Sequence, residues 1–411
     1  MGGRPQASEK FLVWLGNPFF SSFLADSGWR VLNAPYSPGS IYTPESILDL
    51  TGGEVPDALL AADASAPPYL LGMENLPCLT LFYSVDAQIH SWQPIYARGF
   101  DLCLVSLKEY LPLFAGSGHA VAPPPERRDA SSVPAVAGSG REPAYPPSLP
   151  DAPARSPRAV GGQDAAPDRE HVRAAGFAAE FAAPLRAKTG CVFYFPPHAQ
   201  DGRRPPVPAP DRNLDMVFVG TLDPALAPQR CAFIDELREK FPALHVAQGA
   251  FADLYARARL ILNECSRGEL NFRVFEAMGM GGCLLTPDIG PSLTELFTPG
   301  EELFTYPPYA VGPLIALAER LLADAALREK VAAAGLAAVD AGHRASHRAR
   351  ALADILRGLF SSGRAADLVA ARLRDAPQIR KHFLRPLYLH HAETIGVDFL
   401  RDRYLEAGKK R

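Results

Sequence analysis

Short apolar runs alternate regularly with helical stretches in the second half of the chain, and few folds are compatible with that order. Residues 216–219, 244–247, 260–262 and 283–286 are apolar runs of strand length, and a segment with helical spacing separates each from the next. Strands that alternate with helices over short connections build a parallel sheet covered by helices. We therefore predict a doubly wound α/β domain over residues 206–357.

The first half of the chain has the same alternation in a weaker form. Strand-like runs at residues 11–15, 78–83 and 101–105 end at turn-forming residues, and the run at 191–195 is followed by two prolines. A chain of 411 residues exceeds what one ordinary core can hold. A second α/β domain with a parallel sheet is therefore expected here.

The 40 prolines are unevenly spread, and a dense group lies between two strand-like runs of the first half. Residues 119–170 have few large apolar side chains, and so have too little apolar surface to fold. We predict a disordered insertion, with an interdomain linker as the alternative. The predicted organisation is 1–118 for the first part of an N-terminal domain, 119–170 for the insertion, 171–205 for the rest of that domain and the hinge, 206–357 for the C-terminal domain, and 358–411 for a helical extension.

The charge balance and the cysteines narrow the partners and the compartment. The net charge of −3 and the pI near 6.4 give no electrostatic reason to expect nucleic acid as a partner. No run reaches the ~20 apolar residues of a transmembrane helix, although peripheral contact of a helix face with a membrane is compatible with the sequence. The six scattered cysteines are expected to be reduced thiols in a cytoplasmic protein.

Residues 263–306 form the segment most specific for function. A helix is expected to start near Gly268, just beyond a strand, and its N-terminal amides would face the crevice where a diphosphate binds. Arg273 and Glu276 are three residues apart and share one face of this helix. The guanidinium can bind phosphate, and the carboxylate can accept hydrogen bonds from ribose hydroxyls. The alternative is an ordinary exposed helix pair.

Further candidates follow other predicted strands. Gly220 and Thr221 come directly after the run at 216–219, where a glycine lets a phosphate approach the backbone or simply makes a turn. Arg230 either reaches the diphosphate or begins a helix, and the sequence leaves both open.

Asp86 and His90 are the candidate catalytic residues of the first domain. They follow the run at 78–83, and polar groups at the carboxyl ends of parallel strands form sites. Either side chain could take a proton from an acceptor hydroxyl. The alternative is that Asp86 caps the next helix and His90 lies on a solvated face. The loop 16–18 is expected to line the same cleft, and His198 is expected to be structural.

The sequence predicts no metal site and no cofactor. His343 and His347 have the spacing of a metal pair, but no carboxylate or cysteine completes a site. Asp223 and Asp288 have no carboxylate two residues further on. A helix N-terminus and arginine would therefore have to offset the charge of a leaving diphosphate.

The segment FRVFEAMGMGGCLLTPDIG resembles the donor-binding segment of GT-B glycosyltransferases of the group 1 and family 4 kind. Its LNFRVFEA portion is most similar to the spore-maturation-like subgroup. The resemblance covers residues 215–356, including FVGTLDP and HRASHR, and extends more weakly into the first half through FYSVDAQIH. It implies two Rossmann-like domains that face each other across a cleft, with the nucleotide sugar on the C-terminal domain and the acceptor on the N-terminal one.

The same resemblance implies that Glu276 holds the ribose and that Asn271, Arg273 and the Gly220-Thr221 loop surround the diphosphate. One position departs from the family pattern, which often has a second glutamate eight residues before the one matching Glu276. Here that position is Gly268, and Glu269 is one residue out of register. With Ser266, Glu269 also forms an S-x-x-E capping box, so catalytic and structural roles are both open for it. The sequence therefore leaves retention or inversion at the anomeric carbon undecided.

The expected function is metal-independent transfer of a sugar from a nucleoside diphosphate sugar to a hydroxyl of a surface polysaccharide, a protein or a metabolite. Two alternatives stay open. One is a GT-B sugar-nucleotide epimerase. The other is a catalytically degenerate GT-B protein that acts as a binding partner in a glycosylation assembly.

Overall fold

The computed structural model describes residues 9–115, 120–122, 191–206, 211–265 and 267–409. Apart from the strand Ala120–Ala122, the predicted insertion at 119–170 lies outside these ranges. This strand pairs with Cys191–Phe193 in the first sheet. Strand pairing therefore extends into the range predicted to be disordered, at an Ala-Val-Ala sequence that is apolar enough for a sheet.

Seven parallel strands form the sheet of the first domain. They are β1 (Lys10–Leu15), β2 (Trp29–Ala34), β3 (Ala58–Ala62), β4 (Leu79–Ser84), β5 (Leu102–Val105), β6 (Ala120–Ala122) and β7 (Cys191–Tyr194). Their order is β2-β1-β3-β4-β5-β7-β6, and every pairing is parallel. The strands read as continuous apolar runs because helices cover both faces of the sheet.

Five parallel strands form the sheet of the second domain. They are β8 (Leu214–Val219), β9 (Leu244–Ala247), β10 (Ala258–Leu262), β11 (Leu284–Pro287) and β12 (Phe304–Tyr306). Their order is β12-β11-β10-β8-β9, again with every pairing parallel. The predicted fold class, two parallel-sheet α/β domains, is confirmed.

Helices connect and cover the strands. The α-helices are α1 (Pro44–Leu50), α2 (Gln93–Tyr96), α3 (Leu111–Ala115), α4 (Pro228–Lys240), α5 (Ala252–Arg257), α6 (Phe272–Gly279), α7 (Pro291–Thr294), α8 (Val311–Ala323), α9 (Ala325–Gly342), α10 (Ala345–Ser361), α11 (Arg364–Ile379), α12 (Arg385–Thr394) and α13 (Asp398–Lys409). A π-helical turn, Arg380–Leu384, joins α11 to α12. Within the described ranges, no helix is long and apolar enough to span a membrane.

The last four helices pack against the first sheet. Helices α10 and α11 bury residues such as Leu352 in the core on one face, beside Trp14. Helices α12 and α13 bury residues such as Leu387 in the core on the other face. Residues 345–357, which the sequence boundaries group with the second domain, therefore pack in the first. An amphipathic pattern shows that a helix face is buried but not against which sheet.

Two buried arginines hold the chain where it crosses between the domains. Arg344 donates from Nη1 to the backbone oxygen of Gln200 (3.0 Å) and from Nη2 to that of Gly279 (2.9 Å). Arg348 donates from Nε to the backbone oxygen of Pro196 (2.8 Å). These bonds satisfy carbonyl groups that the irregular crossing segment leaves without backbone partners. The sequence analysis quoted both arginines within HRASHR without recognising this role.

Candidate functional site

The carboxyl ends of the strands of both sheets meet at one cleft. Arg267, which follows β10, donates from Nη1 to the backbone oxygen of Gln88, which follows β4 (2.5 Å). Lys108, which follows β5, forms an ion pair with Glu295, just after α7. Ligands of parallel α/β sheets bind outside the carboxyl ends of the strands. This cleft is therefore the candidate site.

Aromatic rings of the two domains contact each other. Phe19 of the first domain stacks on Phe272 of the second, with ring centroids 5.6 Å apart and planes at 13°. His198 contacts both rings, with centroid distances of 6.4 and 5.2 Å. Burial, and then the charge of Arg348, lowers the pKa of His198 to about 3. The imidazole is therefore neutral at neutral pH and acts as part of the packing.

Helix α6 begins at Phe272, so the predicted start near Gly268 is wrong. Gly268 has a φ of +71°, which an α-helix does not contain. Asn271 is the N-cap residue and has extended backbone, and its side chain donates to Oδ1 of Asn263 (3.1 Å) instead of capping the helix. The first-turn amides of α6 therefore lie at the cleft without a side-chain cap from Asn271.

Arg273 is bound to the ends of two neighbouring strands. Its Nε donates to the backbone oxygen of Val219 (2.8 Å), and its Nη1 donates to Oδ1 of Asn263 (2.8 Å) and the backbone oxygen of Glu264 (3.1 Å). Gly220 makes room for this arrangement, since a Cβ there would lie 2.8 Å from Nη2 of Arg273. The guanidinium is thus fixed by the protein, with Nη2 beside the turn where a diphosphate is expected.

Glu276 lies one helical turn after Arg273. Among the described residues, its half-buried carboxylate forms no hydrogen bond and no ion pair. Burial raises the pKa of Glu276, while the charges of Arg273 and Arg203 act in the opposite direction. Buried polar groups normally have hydrogen-bond partners. This carboxylate is therefore suited to accept hydrogen bonds from the hydroxyls of a ligand.

Arg230, for which two roles were open, forms an ion pair with the buried carboxylate of Glu264. Its Nη1 also donates to the backbone oxygen of Thr221 (3.4 Å). The hydroxyl of Tyr309 hydrogen-bonds to the same Glu264 carboxylate. Arg230 therefore links the Thr221 turn to the end of β10, and its role at a diphosphate stays a prediction.

Glu269 does not act in a capping box of α6, because the N-cap of that helix is Asn271. Its Oε2 accepts a hydrogen bond from the backbone N of Arg267 (2.8 Å). Burial raises the pKa of Glu269. Ser266, the other member of the predicted box, lies outside the described residues.

Asp86 and His90 follow β4 as predicted, but no hydrogen bond joins their side chains. The backbone N of His90 donates to the backbone oxygen of Asp86 (2.9 Å). The Asp86 carboxylate accepts from Oγ of Ser65 and from Nε2 of Gln88 (3.4 Å). The alternative in which Asp86 caps the next helix is wrong, because the N-cap of α2 is Trp92.

Asp63, at the end of β3, is a residue that the sequence analysis did not single out. It is 4% exposed and accepts hydrogen bonds from the backbone N of Val85 (3.0 Å) and Asp86 (2.7 Å). The sequence feature that could have identified Asp63 is its position as a carboxylate directly after the apolar run 58–62. Such residues collect at the carboxyl edge of a parallel sheet.

The loop after β1 lies at the same edge. Gly16 has a φ of +92°, and a Cβ there would lie 2.4 Å from the backbone oxygen of Ala62. Only glycine fits this position without strain. Nδ2 of Asn17 donates to the backbone oxygen of Asp63 (3.0 Å), which ties the loop to the end of β3.

The two histidines at metal-pair spacing have partners within the protein. The ring of His343 packs against Phe275 and Phe297. Nδ1 of His347 accepts from the backbone N of Arg344 (3.2 Å). In the part of the chain that the structure describes, no group of three or more His, Cys, Asp or Glu could hold a metal ion.

A protein-family model matches most of the second domain. Residues 232–354 match the model of a family described as glycosyl transferase-like. The matched range includes α6, with Arg273 and Glu276, and ends within α10. No curated protein matches the chain.

Several solved structures are similar to the chain at low identity. They include sucrose-phosphate synthase from Thermosynechococcus elongatus (11% identity, TM-score 0.49, 86% of this chain and 100% of that one). A glycosyltransferase from Rickettsia africae has 8% identity and a TM-score of 0.49, over 86% of this chain and 99% of that one. HepE of Anabaena, in complex with UDP and glucose, has 10% identity and a TM-score of 0.47, over 85% of this chain and 100% of that one. Likenesses this distant do not identify a substrate.

The family match supports a glycosyl transferase-like second domain and does not distinguish between subgroups. The spore-maturation-like subgroup stays a prediction, because the matched family is broader. Of the predicted site residues, the matched range contains Asn271, Arg273 and Glu276. The second of the two parallel-sheet α/β domains is therefore glycosyl transferase-like over residues 232–354.

Proposed function

We propose that the chain transfers a sugar from a nucleoside diphosphate sugar to a hydroxyl group of an acceptor, without a metal ion. The observation that carries the proposal is the carboxylate of Glu276, half-buried on α6 and without a partner among the described residues. A carboxylate at this edge of a parallel sheet binds the vicinal hydroxyls of a ribose. No protein group has to be displaced before such a ligand binds.

The start of α6 supports a diphosphate site next to the ribose. Its first-turn amides have no side-chain cap from the N-cap residue Asn271, and a helix N-terminus attracts anions. Arg273 places Nη2 beside Gly220, at the turn after β8. Asn271 and Thr221 complete the group of residues proposed to surround the diphosphate. Arg230 is a proposed second source of positive charge, through the turn that it shares with Thr221.

The acceptor is proposed to bind on the first domain, where Asp86 follows the carboxyl end of β4. Burial and the charge of Asp63 raise the pKa of Asp86, and a carboxylate with a raised pKa is a better base. His90 is the second candidate base, because its Nε2 is buried without a hydrogen-bond partner among the described residues. A hydroxyl bound between these groups and the donor would have a proton acceptor within its own site.

Metal independence is proposed from the charges near the Gly220 turn. The leaving diphosphate gains negative charge as its bond to the sugar breaks, and fixed positive groups stabilise that charge. The α6 N-terminus and the guanidinium of Arg273 are held at this position by the protein. A cytoplasmic location is proposed because all six cysteines are unpaired thiols, as a reducing compartment would keep them.

The test is the thermal stability of the full chain with UDP, GDP, dTDP, ADP and CMP, each in EDTA. A ligand at ~100 times its Kd adds ~2.7 kcal/mol to the free energy of unfolding. We expect one nucleoside diphosphate to stabilise the wild type and Glu276→Ala to lose that stabilisation. Glu319→Ala, an exposed glutamate on α8 of the same domain, is the matched control and should respond like the wild type.

Three outcomes would contradict parts of the proposal. An equal response of Glu276→Ala and the wild type removes the ribose role of Glu276. A response that appears only when a divalent cation replaces EDTA removes metal independence. No response to any nucleotide removes the nucleoside diphosphate donor.

A further inference from the structure

Asp63 is the centre of a hydrogen-bond network at the carboxyl edge of the first sheet. Its buried carboxylate accepts from the backbone N of Ser65 (2.9 Å) through Oδ1. Through Oδ2 it accepts from the backbone N of Val85 (3.0 Å) and Asp86 (2.7 Å) and from Nε2 of Gln93 (2.7 Å). One side chain thus ties the end of β3 to the loop after β4 and to the start of α2.

This network holds Asp86 at two points. The backbone N of Asp86 is bound directly to Asp63, and the Asp86 carboxylate accepts from Oγ of Ser65. Ser65 has a φ of +47°, a conformation that is unfavourable for serine and needs support from its surroundings. The hydrogen bond from its backbone N to Asp63 supplies that support.

The network is buried except where it reaches the cleft. Asp63, Ser84 and Gln93 are buried, and Oγ of Ser84 donates to Oε1 of Gln93 (2.6 Å). Ser65 is exposed and Asp86 is half-buried. The network therefore has an inner part that is fixed and an outer carboxylate that a bound molecule can contact.

Charged groups of the first domain act on this carboxylate. Burial raises the pKa of Asp86, and the charge of Asp63 raises it further, while His90 acts in the opposite direction. Tyr83, on β4, lies within range of the Asp86 charge. From the second domain, Arg267 is bound to the backbone oxygen of Gln88, two residues along the same loop.

We infer that Asp63 is a positioning residue of the transfer reaction. It fixes the backbone of Asp86 and, through Ser65, the direction of the Asp86 carboxylate. That carboxylate receives the proton of the acceptor hydroxyl. In this step the O–H bond breaks while the acceptor oxygen bonds to the anomeric carbon. The bond from that carbon to the diphosphate breaks, and its electron pair leaves with the diphosphate. The inference rests on the proposed function, in which Asp86 is the base.

The first measurement needs no substrate. Carbodiimide and an added amine modify protonated carboxyl groups, so mass spectrometry of the Asp86 peptide over a pH series on the full chain follows the titration of Asp86. In Asp63→Asn a negative charge is lost, and the midpoint of the Asp86 titration is expected to move to lower pH. In Ser65→Ala a hydrogen bond to the carboxylate is lost, and the midpoint is expected to move to higher pH. Asp57→Asn, which removes the carboxylate bound to the backbone N of Phe11 (2.8 Å) at the other edge of the sheet, is the control and should leave it unchanged.

The two variants shift the midpoint in opposite directions, which general damage to the fold would not produce. Ser65→Ala keeps the buried network, so it tests the inference even if Asp63→Asn does not fold. An unchanged midpoint in folded Asp63→Asn, or in Ser65→Ala, overturns the inference.

The second measurement is the release of nucleoside diphosphate from UDP-glucose, GDP-mannose and dTDP-glucose, with water as the acceptor. Asp86→Asn is expected to lower kcat by about 100-fold or more. Asp63→Asn is expected to lower kcat by about tenfold without changing KM, because the sugar nucleotide binds to the other domain. Full activity of Asp86→Asn overturns the proposed base itself, and equal effects of Asp63→Asn and Asp57→Asn overturn the inference alone.

Discussion

Nε of Arg372 lies 2.9 Å from Oδ1 of Asp101, and the two side chains are 1% and 0% exposed. The remaining nitrogens of Arg372 donate to the backbone oxygens of Met73, Leu76 and Cys78. One residue of α11 thus satisfies four acceptors of the first domain. The C-terminal helices are therefore bound into that domain by a buried polar contact as well as by apolar packing.

Replacement of Arg372 by methionine should destabilise the first domain by about 3–5 kcal/mol. The change leaves the buried Asp101 carboxylate and three carbonyl groups without their donor. Urea unfolding measures the loss, and Arg374→Met, on the exposed side of the same helix, is the control. Adding Asp101→Asn should recover part of the loss, and equal stability of Arg372→Met and Arg374→Met would contradict the structural role.

Gly220→Ala should weaken nucleotide binding by at least about tenfold, or ~1.4 kcal/mol. Its Cβ would lie 2.8 Å from Nη2 of Arg273, so the guanidinium has to move away from the turn. Titration calorimetry with the nucleoside diphosphate that stabilises the wild type measures the effect. Gly312→Ala, where an added Cβ meets nothing within 4 Å, is the matched control. Unchanged affinity in Gly220→Ala would remove Arg273 from the proposed diphosphate site.

Arg273→Lys should lower both stability and nucleotide affinity. A lysine keeps the charge but cannot donate to Val219, Asn263 and Glu264 together, so the free energy of unfolding should fall by about 1–3 kcal/mol. Urea unfolding of the variant and of Arg257→Lys, an exposed arginine of the same domain, makes the comparison. Equal stability of the two variants would show that the strand ends do not depend on Arg273.

The free energy of unfolding should fall between pH 7.5 and pH 5, in part because of two buried histidines. Burial lowers the pKa of His198 and of His391 to about 3 in the folded chain. In the unfolded chain each takes up a proton below ~6.5, so unfolding binds protons in the window between ~6.5 and ~3. Stability therefore decreases as the pH falls through this window, by roughly 2 kcal/mol per histidine at pH 5.

Urea unfolding of His198→Phe and His391→Phe at the two pH values measures this contribution. Each variant should lose about 2 kcal/mol less than the wild type between pH 7.5 and pH 5. His245→Phe, at an exposed position on β9, is the control substitution. A pH dependence that is unchanged in both variants would mean that the two rings accept protons without unfolding.

The sheets were predictable from the sequence because their signal is local. Strands buried on both faces have to be apolar along their whole length, and runs such as 216–219 and 260–262 carry that requirement in a few adjacent residues. The position of Asp86 at the end of β4 follows from the same signal. A strand and the residue just after it can be located without knowledge of the rest of the chain.

The contacts within the site could not be predicted, because they join residues that are distant in sequence. Arg273 binds the strand end at Val219, 54 residues earlier, and Arg230 pairs with Glu264. No local pattern distinguishes a guanidinium that binds a ligand from one that binds carbonyl groups. The importance of Asp63 likewise depends on its proximity to the loop after β4.

The packing of α10 to α13 on the first sheet means that the second domain is an insert within the first. The chain leaves the first domain near Ala199 and re-enters it near Ala345. At this point the backbone N of Ala199 donates to the oxygen of His343 (2.9 Å), and the backbone N of Ala345 donates to the oxygen of Ala199 (2.8 Å). Both junctions of the insert are therefore side by side. The second domain could be exchanged here as a cassette with two adjacent joints, while a deletion from the C-terminus would dismantle the first domain.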